Sequence, residues 1–264
     1  MTTPTTGRRR RGFGAVALER LAAPLLAGAL VLLWEVVVRV FAISDFILPS
    51  PWSIMKRMVT DWALLATHAR ATLLEVVGGF GLAVATGVPF ALATFYSRVM
   101  ERAVFPLLIG LQTIPKVALA PLLVLYLGYG WGPKIFLAFL ISFFPIVIST
   151  VVGLQSLDKG LVHLVRAMGA SEPQTFWKIR LPAALPNLFG GLKVGIALAV
   201  IGAVIGEYVA AERGLGYLQL QATATFDTTL NFASVVVISL VGVVLYFVLA
   251  TFEARLVFQR DRAH

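Results

Sequence analysis

The sequence predicts an all-α integral membrane protein with six transmembrane helices and one structured polar loop. Three observations support this fold class. Hydrophobic residues make up 59% of the 264 residues and charged residues only 13%, a balance that indicates lipid as the solvent. The apolar residues form six runs, each near the roughly 20 residues that a bilayer requires. The polar loop, residues 158–182, lies between the fourth and fifth runs.

The six predicted spans divide the chain into a membrane domain and two short tails. We place the spans at residues 21–43, 73–95, 103–127, 134–155, 187–210 and 232–256. Residues 1–19 are polar and basic, which predicts a disordered cytoplasmic tail. Residues 20–258 form the predicted transmembrane domain, and residues 259–264 a second cytoplasmic tail.

The distribution of lysine and arginine predicts the orientation in the cell (inner) membrane. The segments before the first span, after the second, after the fourth and after the sixth are basic, with Arg8, Arg9, Arg10, Arg11, Arg20, Arg98, Arg102, Lys159, Arg166, Lys178, Arg180, Arg255, Arg260 and Arg262. The alternate segments carry fewer, namely Lys56, Arg57, Arg70, Lys134 and Arg213. Since basic residues favour the cytoplasmic side, both termini and the polar loop are predicted to be cytoplasmic. The net charge of +9 is thus attributed to membrane topology and not to nucleic-acid binding.

Several kinds of site are not expected from this sequence. It contains no cysteine, which excludes disulfides and thiolate metal sites. The three histidines, His68, His163 and His264, fall outside the predicted spans, so a buried metal centre or a histidine proton relay is not expected. The sequence also lacks the G-x4-G-K-[ST] motif that cradles ATP phosphates. We therefore expect no cofactor on this chain and no enzymatic activity of its own.

The polar loop has the local signals of two helices joined by a tight turn. Apolar residues recur at helical spacing before the turn, at Leu157, Leu161, Leu164, Val165 and Met168. Gly169 follows, where a left-handed backbone ends a helix at least cost. Ser171 and Gln174 have the spacing of a capping box for a second helix, and Pro182 is expected to end that helix.

The second half of this loop resembles the cytoplasmic signature of ATP-binding-cassette importer permeases. That signature reads E-A-A-x3-G-x9-I-x-L-P, and Gly169, Ile179, Leu181 and Pro182 match its second part. The E-A-A positions correspond to His163, Leu164 and Val165, so the acidic-alanine half is absent. The stretches LPSPW, QTIPKVALAPLLVLYLGYG and AAERGLGYL are also similar to the nitrate, sulfonate and taurine group of these permeases.

The resemblance implies a fold, a function and a set of partners. The fold is that of a type I importer permease with a cytoplasmic coupling helix, and the function is the passage of a small polar or anionic solute. The implied partners are a cytoplasmic ATP-binding subunit that holds ATP and magnesium, an extracellular or periplasmic solute-binding protein, and a second permease copy in a homodimer. The residues implied to dock the ATP-binding subunit are His163, Leu164, Arg166, Ala167, Gly169, Ala170, Ile179, Leu181 and Pro182.

Two other classes of function are compatible with the residues alone. An ion-coupled secondary carrier would transport without an ATPase, and a membrane scaffold would use the loop only to dock a partner. The solute is not specified either, because similar permeases serve nitrate, sulfonates, taurine, aromatic carboxylates and pyrimidine precursors.

The predicted solute path rests on polar residues within or beside the spans. Lys116 lies near the middle of the third span, which Pro106, Pro115 and Pro121 interrupt. A lysine at that depth is costly unless it is paired or wet. It either lines the solute path or pairs with backbone carbonyls that the prolines free. We also assign Gln112 and Glu207 to the path, although an acidic residue at a span end is equally expected at a membrane interface.

Between the first two spans, LPSPW predicts the start of an external surface helix. Ser50 is the expected N-cap and Pro51 the first helical residue. An apolar stripe follows at Ile54, Met58 and Trp62, as in helices that lie on a membrane surface.

Overall fold

A computed structural model describes residues 13–257 of the chain, except Ala211. Within these residues the ordered elements are helices. They are α1 (Phe13–Val40), α2 (Pro51–Thr60), α3 (Trp62–Tyr96), α4 (Phe105–Leu111), α5 (Ala120–Leu127), α6 (Trp131–Gln155), α7 (Lys159–Ala167), α8 (Glu172–Thr175), α9 (Leu181–Ala210), α10 (Leu215–Ala224) and α11 (Thr228–Val257). Short π-helical turns cover Met100–Val104 and Phe176–Arg180, and a 3₁₀ turn covers Lys116–Leu119.

Five of the six predicted spans are single helices long and apolar enough to cross a bilayer. They are Ala22–Val40, Trp62–Tyr96, Trp131–Gln155, Glu172–Ala210 and Thr228–Leu256. The third predicted span is a pair of helical segments, Met100–Leu111 and Lys116–Leu127, bent by 81° at the break between them. The break follows from Pro115, which has an extended backbone with ψ of 94° and removes a helical N–H donor.

Three helix boundaries differ from the predicted ones. The helix that contains the second span begins at Trp62, eleven residues before the predicted start of that span. Helix α9 runs through Pro182 and Pro186. The π turn at Phe176–Arg180 widens the helix just before Pro182, which relieves the clash of the proline ring with the preceding turn. Residues 13–19, predicted as tail, belong to α1. The rest of both predicted tails, residues 1–12 and 259–264, lies outside the described residues.

The core of the bundle is made by α3, α6 and α9 in close contact. A Cβ on Gly79 would lie 2.5 Å from the Cβ of Ala138, and a Cβ on Gly202 would lie 2.7 Å from the Cα of the same residue. Small residues let helices approach in lipid, where no hydrophobic force drives them together. Gly79 and Gly87 lie on one face of α3, and both meet α6. This face of small residues therefore packs within one chain.

The outer helices present apolar side chains to the surroundings. Only 6% of the most apolar window of α1 and none of that of α11 is fully buried within this single chain, as expected of helices at the periphery of the bundle. The predicted start of α2 is confirmed: the Ser50 hydroxyl accepts a hydrogen bond from the N–H of Ser53 at 3.1 Å, and Pro51 begins the helix. Its position on the external membrane surface stays a prediction. Ile54 of its stripe is buried, whereas Trp62 is exposed.

Candidate functional site

The polar loop is an ordered pair of helices at one end of the bundle. The Asp158 carboxylate caps α7 by accepting hydrogen bonds from the N–H groups of Gly160, at 2.5 Å, and Leu161, at 3.3 Å. At the other end of α7 the chain turns at Gly169, whose φ is +87°. The N–H of Ala170 then donates to the carbonyl of Val165 at 3.2 Å. The predicted glycine turn is therefore present, with the left-handed backbone that favours glycine.

The second helix begins with the predicted capping box. The Ser171 N–H donates to the Gln174 side chain at 2.9 Å, and the Gln174 N–H donates to the Ser171 hydroxyl at 3.4 Å. An ion pair between Arg166 and Glu172 spans the turn between the two helices. These local bonds order the two helices and connect them across the turn. We call residues 158–182 the coupling loop.

The apolar stripe of α7 points away from the bundle. Leu164 is 58% exposed and Met168 79% exposed, and Leu161 is also exposed, whereas Val162 faces inward and is buried. The predicted docking residues of α7 and its turn, His163, Leu164, Arg166, Ala167 and Gly169, are all exposed, and Ala170 is half-buried. The others, Ile179, Leu181 and Pro182, are half-buried in the helix that continues into α9. The exposed surface of the loop is thus centred on α7.

Lys116 and Gln112 lie at the break in the third span. The Lys116 ammonium donates to the backbone carbonyl of Gln112 at 2.7 Å and lies 4.7 Å from the ring centre of Phe144. The break leaves that carbonyl without its helical donor, and the lysine supplies one. Lys116 therefore has the geometry of the second alternative, in which it pairs with a backbone carbonyl that the prolines free. A role of Lys116 or Gln112 in the solute path stays a prediction.

Glu207 belongs to a buried polar cluster at the opposite end of the bundle, which we call the far end. Its carboxylate accepts hydrogen bonds from the Thr72 hydroxyl at 2.6 Å and from the N–H of Gly216 at 2.5 Å. Only 1% of Glu207 is exposed, so it is not the interfacial residue that its position at a span end suggested. It joins α3 and α9 to the start of α10.

His68 and Thr72 extend this cluster along α3. The Thr72 hydroxyl also accepts a hydrogen bond from the N–H of Leu215 at 2.8 Å. The His68 Nδ1 atom lies 2.9 Å from the carbonyl oxygen of Gly214 and 3.1 Å from its nitrogen. Gly214 and Leu215 are thereby bonded to one face of α3. His68 lies in α3, which begins eleven residues before the predicted start of the second span; that it lies outside the membrane stays a prediction.

A second buried contact at the far end is the ion pair of Glu75 and Lys134. Glu75 has no exposed surface and Lys134 only 4%, and Lys134 lies 5.6 Å from the ring centre of Trp131. Sequence reasoning missed both residues because Lys134 stands at a span end and Glu75 is a single acid in an apolar run. Glu75 could have been found from the sequence, because an ionisable residue inside a span indicates a functional or structural site.

The Glu75–Lys134 pair lies at the floor of a pocket of about 490 Å³. We call it the far-end pocket. Its lining consists of Ala71, Glu75, Tyr129, Gly130, Trp131, Lys134, Val209, Ala210, Glu212 and Arg213. The pocket is therefore bounded by α3, by α6, by the end of α9 and by the loop that precedes α6.

The sequence matches a known family over most of the bundle. Residues 79–259 match the model of the family described as "Binding-protein-dependent transport system inner membrane component". The chain belongs to this family. It is the permease component of an ATP-binding-cassette transporter, which confirms the resemblance seen in the coupling loop and favours an importer over a secondary carrier or a scaffold.

Three relatives show the range of this permease family. The chain is 38% identical to the formylaminopyrimidine transport permease protein ThiX of Halalkalibacterium halodurans, over 81% of this chain and 86% of the relative. It is 38% identical to the riboflavin transport system permease protein RibX of Chloroflexus aurantiacus, over 90% and 89%. The taurine transport system permease protein TauC of Escherichia coli is 29% identical, over 86% and 85%.

The fold also matches a solved transporter. An inward-facing structure of the MetNI methionine ABC transporter superposes with a TM-score of 0.63, over 76% of this chain and 97% of that chain, at 21% identity. At this identity the match shows the fold alone. The predicted fold class, an all-α permease of the type I importer kind, is confirmed.

Proposed function

We propose that this permease couples ATP hydrolysis by a partner subunit to solute import, and that the coupling loop is where that subunit docks. The observation that carries the proposal is the pair of helices α7 and α8 in the coupling loop. The pair is ordered by two caps and by the Arg166–Glu172 ion pair. Its apolar residues Leu164 and Met168 are exposed. An amphipathic helix with an exposed apolar face fits a groove on a partner, and a rigid pair transmits displacement into α9.

In the proposed assembly, the coupling loop and both termini lie in the cytoplasm. Two copies of the permease form the pathway, two ATP-binding subunits dock beneath the coupling loops, and a solute-binding protein delivers solute at the far end. ATP and magnesium are held by the partner subunits. The lysine and arginine distribution supports this orientation, and the exposed apolar surface of α1 and α11 suits contact with lipid.

We further propose that the solute is a planar nitrogen heterocycle and not a sulfonate. The permeases named for formylaminopyrimidine and riboflavin are each 38% identical to this chain. The permease named for taurine is 29% identical. Uptake by the assembled transporter with its own solute-binding protein tests this choice. Import of an aminopyrimidine or riboflavin, with no competition from excess taurine, supports it, whereas ATP-dependent taurine import contradicts it.

The docking proposal is tested with two matched glycine substitutions. Gly169 and Gly128 have similar φ values, +87° and +75°, both with open space around them. Each donates its N–H to a carbonyl at 2.9 Å. Proline cannot adopt positive φ and has no N–H, so either substitution disrupts the turn in which it stands. Gly169→Pro is expected to reach the membrane yet to uncouple ATP hydrolysis from uptake and to lose the ATPase subunit on purification.

Gly128→Pro is the control, because its turn precedes α6 at the far end. It is expected to retain the ATPase subunit. The docking proposal fails if Gly169→Pro co-purifies with the ATPase subunit and imports solute at the wild-type rate, or if both variants lose the subunit equally.

A further inference from the structure

The far-end pocket has the size and walls of a small-molecule site. Its volume of about 490 Å³ lies within the roughly 300–1,000 Å³ typical of ligand pockets. Two aromatic side chains, Tyr129 and Trp131, line it and are exposed by 85% and 49%. Exposed aromatic faces are surfaces on which planar rings stack. The pocket can therefore hold a small planar solute.

The charges beneath the pocket disfavour an anion. The ammonium of Lys134 is already engaged by Glu75. Within the described residues, neither carboxylate oxygen of Glu75 accepts a hydrogen bond in addition to this ion pair. Thr72 lies one turn from Glu75 on the same face of α3, and its hydroxyl holds the carboxylate of Glu207. The cation beneath the pocket is therefore already paired within a buried cluster, and it offers little attraction to an anion.

The rim of the pocket does not reverse this balance. Glu212 and Arg213 both line it and both are exposed, so their opposite charges offset each other and are screened by water. A sulfonate or carboxylate would find the lysine of the lining already engaged. An amino-substituted ring needs no cation and would stack on Trp131.

We propose that the far-end pocket is a solute-binding site for planar nitrogen heterocycles that are neutral or cationic, with stacking on Trp131 as the main contact. This inference deepens the proposed solute class and rests on it for its biological meaning. The binding itself is independent of ATP and of the partner subunits' motion, so it is measured separately from uptake.

The natural absence of cysteine provides a direct assay. Val209→Cys places a single thiol in the pocket lining, at a residue that is 39% exposed and uncharged. Gln221→Cys places one at an exposed position on α10, outside the pocket. The transporter, assembled in nanodiscs without ATP, is treated with a charged methanethiosulfonate reagent. The probes are 4-amino-2-methylpyrimidine and taurine, each added at about 10 mM.

The expected result is selective protection. If the affinity is about 1 mM, a value common for a transient site, the aminopyrimidine slows labelling of Val209→Cys about tenfold, whereas taurine has no effect. Labelling of Gln221→Cys is unchanged by either probe. Trp131→Leu removes the stacking surface and abolishes protection, while Trp131→Phe keeps an aromatic ring and retains it.

Two results would overturn the site. One is protection by taurine that equals or exceeds protection by the aminopyrimidine. The other is protection that is the same in wild type, Trp131→Leu and Trp131→Phe. An unchanged labelling rate at Gln221→Cys in each background shows that the far end is folded. If the transporter imports taurine although the pyrimidine protects Val209→Cys, the proposed solute class fails and the binding site stands.

Discussion

The hydroxyl of Thr72 connects three elements at the far end, and its removal gives a sharp test of that cluster. It donates to the Glu207 carboxylate at 2.6 Å and accepts from the N–H of Leu215 at 2.8 Å. Thr72 has no exposed surface. Thr72→Val keeps the shape of the side chain, but it deprives Glu207 of a donor and leaves the Leu215 N–H without an acceptor.

The size of the effect follows from the burial of both partners of the hydroxyl. A hydrogen bond between membrane helices contributes about 0.6 kcal/mol and at most about 1.7 kcal/mol. The buried N–H of Leu215, left without an acceptor, adds a desolvation cost of about 1–3 kcal/mol. We expect Thr72→Val to lower the free energy of unfolding by about 2–3 kcal/mol, which is roughly 4–12 °C in Tm for a chain of this size.

The control is Thr86→Val on the same helix. The Thr86 hydroxyl is exposed and donates only to the carbonyl of Leu82 in its own helix, at 2.7 Å, so its loss should change stability by less than about 0.5 kcal/mol. Thermal unfolding of both variants in the same detergent measures the difference. A Tm for Thr72→Val within about 2 °C of that for Thr86→Val would show that the Glu207 cluster does not hold the far end together.

Two further predictions concern buried contacts between helices. Glu75→Gln removes the ion-pair partner of the buried Lys134 ammonium, which should lower the free energy of unfolding by about 3–5 kcal/mol. Glu75→Gln with Lys134→Met should recover part of this loss, and a double variant that melts below the single one refutes the pairing. Gly79→Ala would bring a Cβ within 2.7 Å of a backbone oxygen of α6, whereas a Cβ on Gly81 meets nothing within 4 Å. Gly79→Ala should therefore lower the yield of folded protein and Gly81→Ala should not, and equal yields would contradict the close approach of α3 and α6.

The helices and caps could be predicted because their causes are local. Six apolar runs of bilayer length correspond to the five long helices and the bent pair. The cap at Ser50, the left-handed turn at Gly169 and the box of Ser171 and Gln174 all depend on residues within four positions of one another. A short side chain beside an orphan N–H makes such a bond in almost any fold.

The ends of spans were harder to predict from the same rules. Hydropathy placed the start of α3 too late because His68 and Arg70 lower the apolar score of its first turns. Helicity and hydropathy are different properties: the turns that hold His68 and Thr72 are helical, and they carry the bonds to Gly214 and Leu215. Pro182 was expected to end a helix, but the π turn before it lets the helix continue.

By itself, the sequence determined the membrane class, the number of spans, the coupling loop and, through that loop, the family. Only the tertiary structure showed that Glu207 and Thr72 meet, since they are 135 residues apart in the chain, and that Glu75 and Lys134 form a buried pair beneath a pocket. An isolated acid in an apolar run has no local partner that a pattern could reveal. Its counter-charge lies on another helix, and the packing of small residues between α3, α6 and α9 decides which side chains come within reach.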